Sequence, residues 1–121
     1  MELHFMEKIV VTGAGGFIGH HFVKYLKAKG YWIRGVDIKE PEYEDTQADE
    51  FKLLDLRRWE NCLEAAKGAD HVYNLAANMG GIGFIETHKA EIVHDNTLIN
   101  IHMLDAARER GVQKYLYPSS A

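Results

Sequence analysis

The strongest constraint on the fold is a glycine-rich turn between a predicted strand and a predicted helix. Residues 8–12 read KIVVT, a short apolar and β-branched run that is typical of a buried strand. Residues 13–19 then read GAGGFIG, and from 17 to 29 the apolar residues recur every three or four positions, the period of a helix. A strand that turns through glycines directly into a helix favours the opening unit of a parallel α/β sheet.

The rest of the chain continues this alternation, apart from an exposed acidic loop at 40–50 and a glycine-rich loop at 78–83. Further strands are predicted at 31–36, 51–54, 71–77 and 114–117, and further helices at 56–66 and 86–110. The pattern predicts a Rossmann-type doubly wound parallel sheet of five strands, in the order 3-2-1-4-5. The fifth strand would be an edge with one bare face. We therefore expect residues 1–121 to form the N-terminal part of one larger α/β domain, truncated after that strand.

Charge and composition remove several function classes. The chain has 121 residues, 14 basic against 18 acidic side chains and a net charge of −4, so nucleic-acid binding has no electrostatic basis. No apolar run approaches the ~20 residues of a membrane span, and the first residues do not read as a signal peptide. One cysteine, Cys62, suggests a reducing, cytoplasmic protein and a buried small side chain. The seven histidines lack metal-ligand spacing, so no metal is expected. His20 could lie near a phosphate bound at the glycine turn, but a position on the helix surface is favoured.

The three glycines of the turn suit the binding of a dinucleotide pyrophosphate. Gly13 would allow the tight turn, Gly16 would let a phosphate approach the backbone, and Gly19 would let the helix pack closely on the sheet. The helix N-terminus would add free N–H groups and a partial positive charge. The alternative is a tight turn that holds no ligand.

Two carboxylates end the second and third predicted strands. Asp37 could accept hydrogen bonds from the adenosine ribose and favour NAD over NADP, a preference that Lys39 could soften, or it could be a solvated turn residue. Asp55 could accept the adenine amino group, with Leu56 packed nearby, or it could cap the following helix.

These glycines and carboxylates, with the strand end LAA at 75–77, resemble the extended short-chain dehydrogenase/reductases, the NAD-dependent epimerase/dehydratase family. Residues 74–85, NLAANMGGIGFI, with DNT at 95–97 and YPSSA at 117–121, look like the GDP-mannose 3,5-epimerase branch of that family. The AA-x-x-GG pattern also occurs in the related GDP-fucose synthases, so that piece is less specific.

The resemblance implies NAD as the cofactor and a GDP-sugar as the substrate of the full-length enzyme. Such an enzyme oxidises the sugar at C4, inverts C3 and C5, and reduces C4 again. Members of the family commonly dimerise through the long helix that follows the fourth strand, predicted here at 86–110, and a later helix. The matching positions imply cofactor contacts at Gly13, Gly16, Phe17, Ile18, Gly19, Asp37, Asp55, Leu56, Ala76 and Ala77. They imply substrate contacts at Met79, Gly80, Gly81 and Ser120, the last bonding the reacting hydroxyl.

Some family features are missing. Asn78 stands where we expect aspartate in plant members, and the Tyr-x-x-x-Lys pair and acid/base cysteine would lie beyond the fifth strand. The chain alone is therefore expected to hold NAD without catalysing. One alternative is another enzyme of the family, a GDP-fucose synthase or a sugar-nucleotide dehydratase. The alternative of another class is a non-catalytic dinucleotide-binding module.

Overall fold

A computed structural model describes residues 6–76 and 82–117, with all of their side chains except those of 82–90, 92 and 93. In chain order the elements are β1 (Lys8–Thr12), α1 (Phe17–Ala28), β2 (Trp32–Asp37), β3 (Glu50–Leu53), α2 (Trp59–Ala66), β4 (His71–Asn74), α3 (Ile82–Glu109) and β5 (Lys114–Leu116). The five strands form one parallel sheet in the order β3-β2-β1-β4-β5, which confirms the predicted fold and strand order.

Three element boundaries differ from the sequence prediction by three or more residues, and several others differ by one. The fourth strand ends at Asn74 because the backbone then turns against Gly13, where a Cβ would lie only 2.8 Å from the Leu75 carbonyl. The second helix begins at Trp59, because a turn closed by Arg57 and Arg58 comes first. The long helix begins at Ile82, four residues before the predicted start, although its first turn contains a glycine.

Two core clusters lie on opposite faces of the sheet, because successive strand side chains point to opposite sides. Ile9 and Val11 of β1 pack with Val23 and Leu26 of α1. Val10 of β1 lies on the other face, in the cluster formed with α2 and α3: Val36, Leu56, Cys62, Ala65, Ala66, Ala69, Val72, Met103 and Ala106. The inner strands are thus covered on both sides, as a parallel sheet requires.

The fifth strand is an edge, as predicted. It pairs only with β4 among the described strands, and Leu116 is 51% exposed. Within residues 6–76 and 82–117, no helix is both long enough and apolar enough to cross a membrane.

Candidate dinucleotide-binding site

The glycine turn lies at the edge of the sheet where the parallel strands end. The Ala14 N–H donates to the Val36 carbonyl (3.1 Å), and the Gly16 N–H donates to the Gly13 carbonyl (3.1 Å). Gly13 has a φ of 71°, and a Cβ at Gly19 would lie 2.0 Å from the Gly13 oxygen. The fold itself therefore requires glycine at Gly13 and Gly19, in agreement with the tight turn and close packing predicted for them.

Gly16 differs from these two glycines, because no described residue fills the space beside it. Within residues 6–76 and 82–117, the nearest atom that a Cβ there would meet is the Gly13 oxygen at 3.5 Å, an ordinary contact. Gly16 is the N-cap of α1, supplies no side-chain cap, and is followed by a first turn without an acidic residue. The positive end of the helix dipole is thus open to an anion from outside the chain.

Large apolar side chains surround this open helix end. Phe17 and Ile18 are each 74% exposed in the first turn of α1. Exposed apolar side chains next to an uncapped helix N-terminus are suited to cover a bound molecule.

Gly15, to which the sequence analysis gave no role, holds the Asp37 carboxylate. Its N–H donates to Asp37 Oδ2 (2.8 Å), while the Ile38 N–H donates to Oδ1 (2.6 Å). A Cβ at Gly15 would lie 2.0 Å from the Lys39 carbonyl oxygen, so only glycine allows this approach. Two backbone N–H groups orient the half-buried carboxylate, and among the described residues no further hydrogen bond to it is formed, so it can accept more. In the sequence, the two adjacent glycines Gly15 and Gly16 were the signal that could have indicated this close contact.

Lys39 follows Asp37 but is paired within its own loop. Its Nζ lies 3.1 Å from Glu42 Oε2, and that hydrogen bond is the main reason why the pKa of Lys39 is raised. The pair gives Lys39 a carboxylate partner within its own loop, and its proposed effect on the choice between NAD and NADP stays a prediction.

A cleft of about 450 Å³ separates the start of α1 from the acidic loop, lined by residues 15–17, 20, 21, 39 and 41–44. The prediction that His20 lies on the helix surface is wrong: His20 is only 6% exposed. The loop folds back over α1, placing Glu44 Oε1 2.7 Å from His20 Nε2 and 2.8 Å from Lys24 Nζ. The acidic loop at 40–50, which the sequence predicts to be exposed, thus pairs with residues distant in the chain and forms one wall of the cleft.

Asp55 lies at the end of β3, along the same edge. Its Oδ1 accepts hydrogen bonds from the Arg57 N–H (3.0 Å) and Nε (3.0 Å), and its Oδ2 accepts from Arg57 Nη2 (2.8 Å). Hydrogen bonding by Arg57 is the largest cause of the lowered pKa of Asp55. The predicted alternative of a helix cap is wrong, because the N-cap of α2 is Arg58 and no side chain caps it. The Leu56 side chain belongs to the core cluster on α2 and α3.

A buried polar network lies beneath the glycine turn and was not predicted. Thr12 Oγ1 donates to Asn74 Oδ1 (2.5 Å) and accepts from the Ala76 N–H (3.0 Å). Asn74 Nδ2 donates to Asn100 Oδ1 (3.2 Å) and to the Tyr115 hydroxyl (2.9 Å). The network ties β1, β4, α3 and β5 together and places Ala76 beside the turn. A polar residue ending an apolar strand was its signal in the sequence.

The structure does not describe several of the predicted site residues. These are Ala77, Asn78, Met79, Gly80, Gly81 and Ser120.

Cys62 is fully buried, and its thiol donates to the Leu56 carbonyl (3.1 Å). Burial raises the pKa of this thiol to about 12. The predicted burial of this side chain is confirmed.

The parallel sheet, its strand order and the glycine turn opening onto a helix define a Rossmann-type α/β domain. The sequence model of the NAD-dependent epimerase/dehydratase family matches residues 9–121. The chain therefore belongs to this family, as the resemblance implied.

Individual relatives agree with this assignment. The GDP-mannose 3,5-epimerase of Arabidopsis thaliana is 48% identical over 116 residues, covering 94% of this chain and 31% of that protein. The solved structure of MoeE5 with UDP-glucuronic acid and NAD is 30% identical, with a TM-score of 0.82 over 93% of this chain and 36% of that one. UDP-glucose 4-epimerase of Thermotoga maritima, solved with UDP-glucose, is 25% identical, with a TM-score of 0.81 over 93% and 38%. The chain thus spans about a third of the length of these relatives.

Proposed function

We propose that this chain is the NAD-binding N-terminal portion of a nucleotide-sugar epimerase similar to GDP-mannose 3,5-epimerase. One observation carries the proposal: the N-terminus of α1 has no side-chain cap and no described residue fills the space at Gly16, while the N–H of the adjacent Gly15 holds the Asp37 carboxylate. An open helix N-terminus suits a pyrophosphate, and a carboxylate at the end of the neighbouring strand suits a ribose diol. The same carboxylate would repel a 2′-phosphate, which favours NAD over NADP.

Each described residue has a separate task in this proposal. The backbone of Gly16, Phe17 and Ile18 would bind the pyrophosphate, and Gly13 and Gly19 would hold that backbone in place. Asp37 would bind the ribose, Asp55 the adenine amino group, and the segment around Leu56 and Ala76–Ala77 would border the cofactor. When bound, NAD would supply the hydride acceptor and donor for transient oxidation of a sugar carbon.

The substrate side rests on the relatives. The 48% identity to GDP-mannose 3,5-epimerase supports a GDP-sugar as the substrate of a full-length protein. We assign Met79, Gly80, Gly81 and Ser120 to that substrate, with Ser120 bonding the reacting hydroxyl. Without a Tyr-x-x-x-Lys pair the 121-residue chain is expected to be inactive alone, and a full-length protein is expected to dimerise through α3.

Calorimetric titration of the 121-residue chain with NAD tests the cofactor proposal. We expect saturable binding, weakened at least about tenfold (1.4 kcal/mol) by Gly16→Ala, because the new methyl group occupies the phosphate space. Gly30→Ala is the control for an added methyl group far from the site: its φ of 94° makes alanine cost stability, but the Cβ meets no described atom within 4 Å at the far end of α1. It should leave NAD affinity unchanged. A folded chain that binds no NAD refutes the proposal.

The epimerase chemistry needs a longer polypeptide. If the natural reading frame continues past Ala121 with the cysteine and the Tyr-x-x-x-Lys pair, its product should exchange solvent deuterium into C3 and C5 of GDP-mannose. A natural product that ends at Ala121 would instead support a non-catalytic dinucleotide-binding module.

A further inference from the structure

Arg57 grips the Asp55 carboxylate more completely than an ordinary surface pair does. Its backbone N–H and Nε bond to Oδ1, and its Nη2 bonds to Oδ2, all within 3.0 Å. The guanidinium thus engages both carboxylate oxygens with a planar fork, and the backbone adds a third bond. This geometry fixes the rotation of the carboxylate as well as its position.

Arg57 is itself held from a second element. Its Nη1 lies 3.5 Å from Asp95 Oδ2 on α3, and the Asp95 side chain is only 13% exposed. Arg57 therefore lies between one carboxylate at the end of β3 and another on the helix that follows β4. Arg58, its neighbour in sequence, instead pairs with Glu60 (3.4 Å).

The three bonds from Arg57 leave the Asp55 carboxylate able to accept a further hydrogen bond. About a third of its side chain stays exposed (35%), and Oδ2 accepts one described hydrogen bond where Oδ1 accepts two. An ionised carboxylate accepts hydrogen bonds and donates none. Fixed in place, it attracts an amino group and repels a carbonyl oxygen at the same position.

We propose that Arg57 is a positioning residue that holds Asp55 so that the site selects a purine with a 6-amino group over one with a 6-oxo group. The inference rests on the proposed NAD-binding function and adds a determinant of base specificity to it. Without the fork, the Asp55 carboxylate can rotate away from an oxo group or take up a proton and donate to it, so discrimination falls.

The test compares NAD with nicotinamide hypoxanthine dinucleotide, which carries a 6-oxo acceptor and an N1–H donor where NAD carries a 6-amino donor and an N1 acceptor. Dissociation constants for both are measured by calorimetry on the wild-type chain and on Arg57→Gln, Arg57→Lys and Arg58→Gln. The wild type should prefer NAD by roughly tenfold or more, as expected for a hydrogen bond to a charged group. Arg57→Gln should reduce that preference to about threefold or less, and Arg57→Lys, which keeps the charge but lacks the fork, should be intermediate. Arg58→Gln, with the same loss of charge, should keep the wild-type preference.

The outcomes separate this inference from the proposed function. If the wild type binds neither dinucleotide, the proposed function fails. If it binds both equally, or if Arg57→Gln keeps the full preference, NAD binding stands and the role of Arg57 is overturned. Should Arg57→Gln not unfold cooperatively in a thermal melt, Arg57→Lys decides: a reduced preference supports the inference and an unchanged one overturns it.

Discussion

Gly15 lies where the glycine turn contacts Asp37 and Lys39, at the end of β2 and just after it. Replacing Gly15 by alanine would perturb this contact. The new Cβ would lie 2.0 Å from the Lys39 carbonyl oxygen, and 3.0 Å from both Asp37 Oδ2 and the Lys39 carbonyl carbon. Ordinary contact begins near 3.4 Å, so backbone must move by more than an ångström. No flexible side chain is available to absorb the shift at Lys39.

The expected cost follows from two terms. Overpacking against backbone costs about 1–3 kcal/mol. The same movement breaks or stretches the 2.8 Å bond from the Gly15 N–H to Asp37, and a hydrogen bond to a charged group contributes about 1.5–3 kcal/mol. Asp37 is half-buried and water replaces part of that bond, so the lower ends of both ranges apply and their sum is about 2.5 kcal/mol. For a domain of this size that lowers the melting temperature by roughly 10 °C.

The matched control is the next residue. A Cβ at Gly16 makes only an ordinary contact at 3.5 Å. The reduced entropy of the unfolded chain and the weaker N-cap oppose each other, so Gly16→Ala should stay within about 1 kcal/mol of the wild type. Urea unfolding followed by far-ultraviolet circular dichroism, without ligand, measures both variants. Equal losses in the two variants, or a Gly15→Ala protein as stable as the wild type, would refute the reasoning.

Three further outcomes follow from the described contacts. Thr12→Val leaves both partners of a buried hydroxyl unsatisfied and should cost about 2 kcal/mol in urea unfolding; a loss below about 0.5 kcal/mol would contradict the network. Hydrogen bonds from Lys24 and His20 lower the pKa of Glu44 from 4.5 to about 2. The stabilisation is therefore present above pH 4.5 and lost as the pH falls through 2, and Glu44→Gln should remove that part of the acid dependence. Burial raises the pKa of Cys62 to about 12, so iodoacetamide at pH 8 should alkylate it only as fast as the chain unfolds, as read by mass spectrometry.

Much of the fold could be predicted from the sequence, because its signals are local. Apolar spacing distinguishes strands from helices, and glycines mark the ends of α1 and α3. The right-handed crossover rule then leaves few sheet topologies, and the observed order is the predicted one. Element ends were less predictable: β4 stops where its backbone meets Gly13, a contact between residues far apart in the chain.

The candidate site divides in the same way. The residue types at Gly13, Gly16, Gly19, Asp37 and Asp55 can be read from spacing, since each follows a strand or begins a helix. The order of the three glycines in the turn also predicts a different task for each of them. Only the packed structure supplies the distances, which show that the fold requires Gly13 and Gly19, while no described residue fills the space beside Gly16.

The sequence by itself determined the alternation of strands and helices, the glycine turn and the acidic strand ends, all properties of neighbouring residues. The tertiary structure decided which groups orient the site. The Gly15 N–H bonds to Asp37, and the Glu44 carboxylate pairs with His20. Arg57 lies between Asp55 and Asp95. Hydrogen bonds and close backbone approaches depend on ångström-scale distances between distant segments, and no local pattern of residue types encodes those distances.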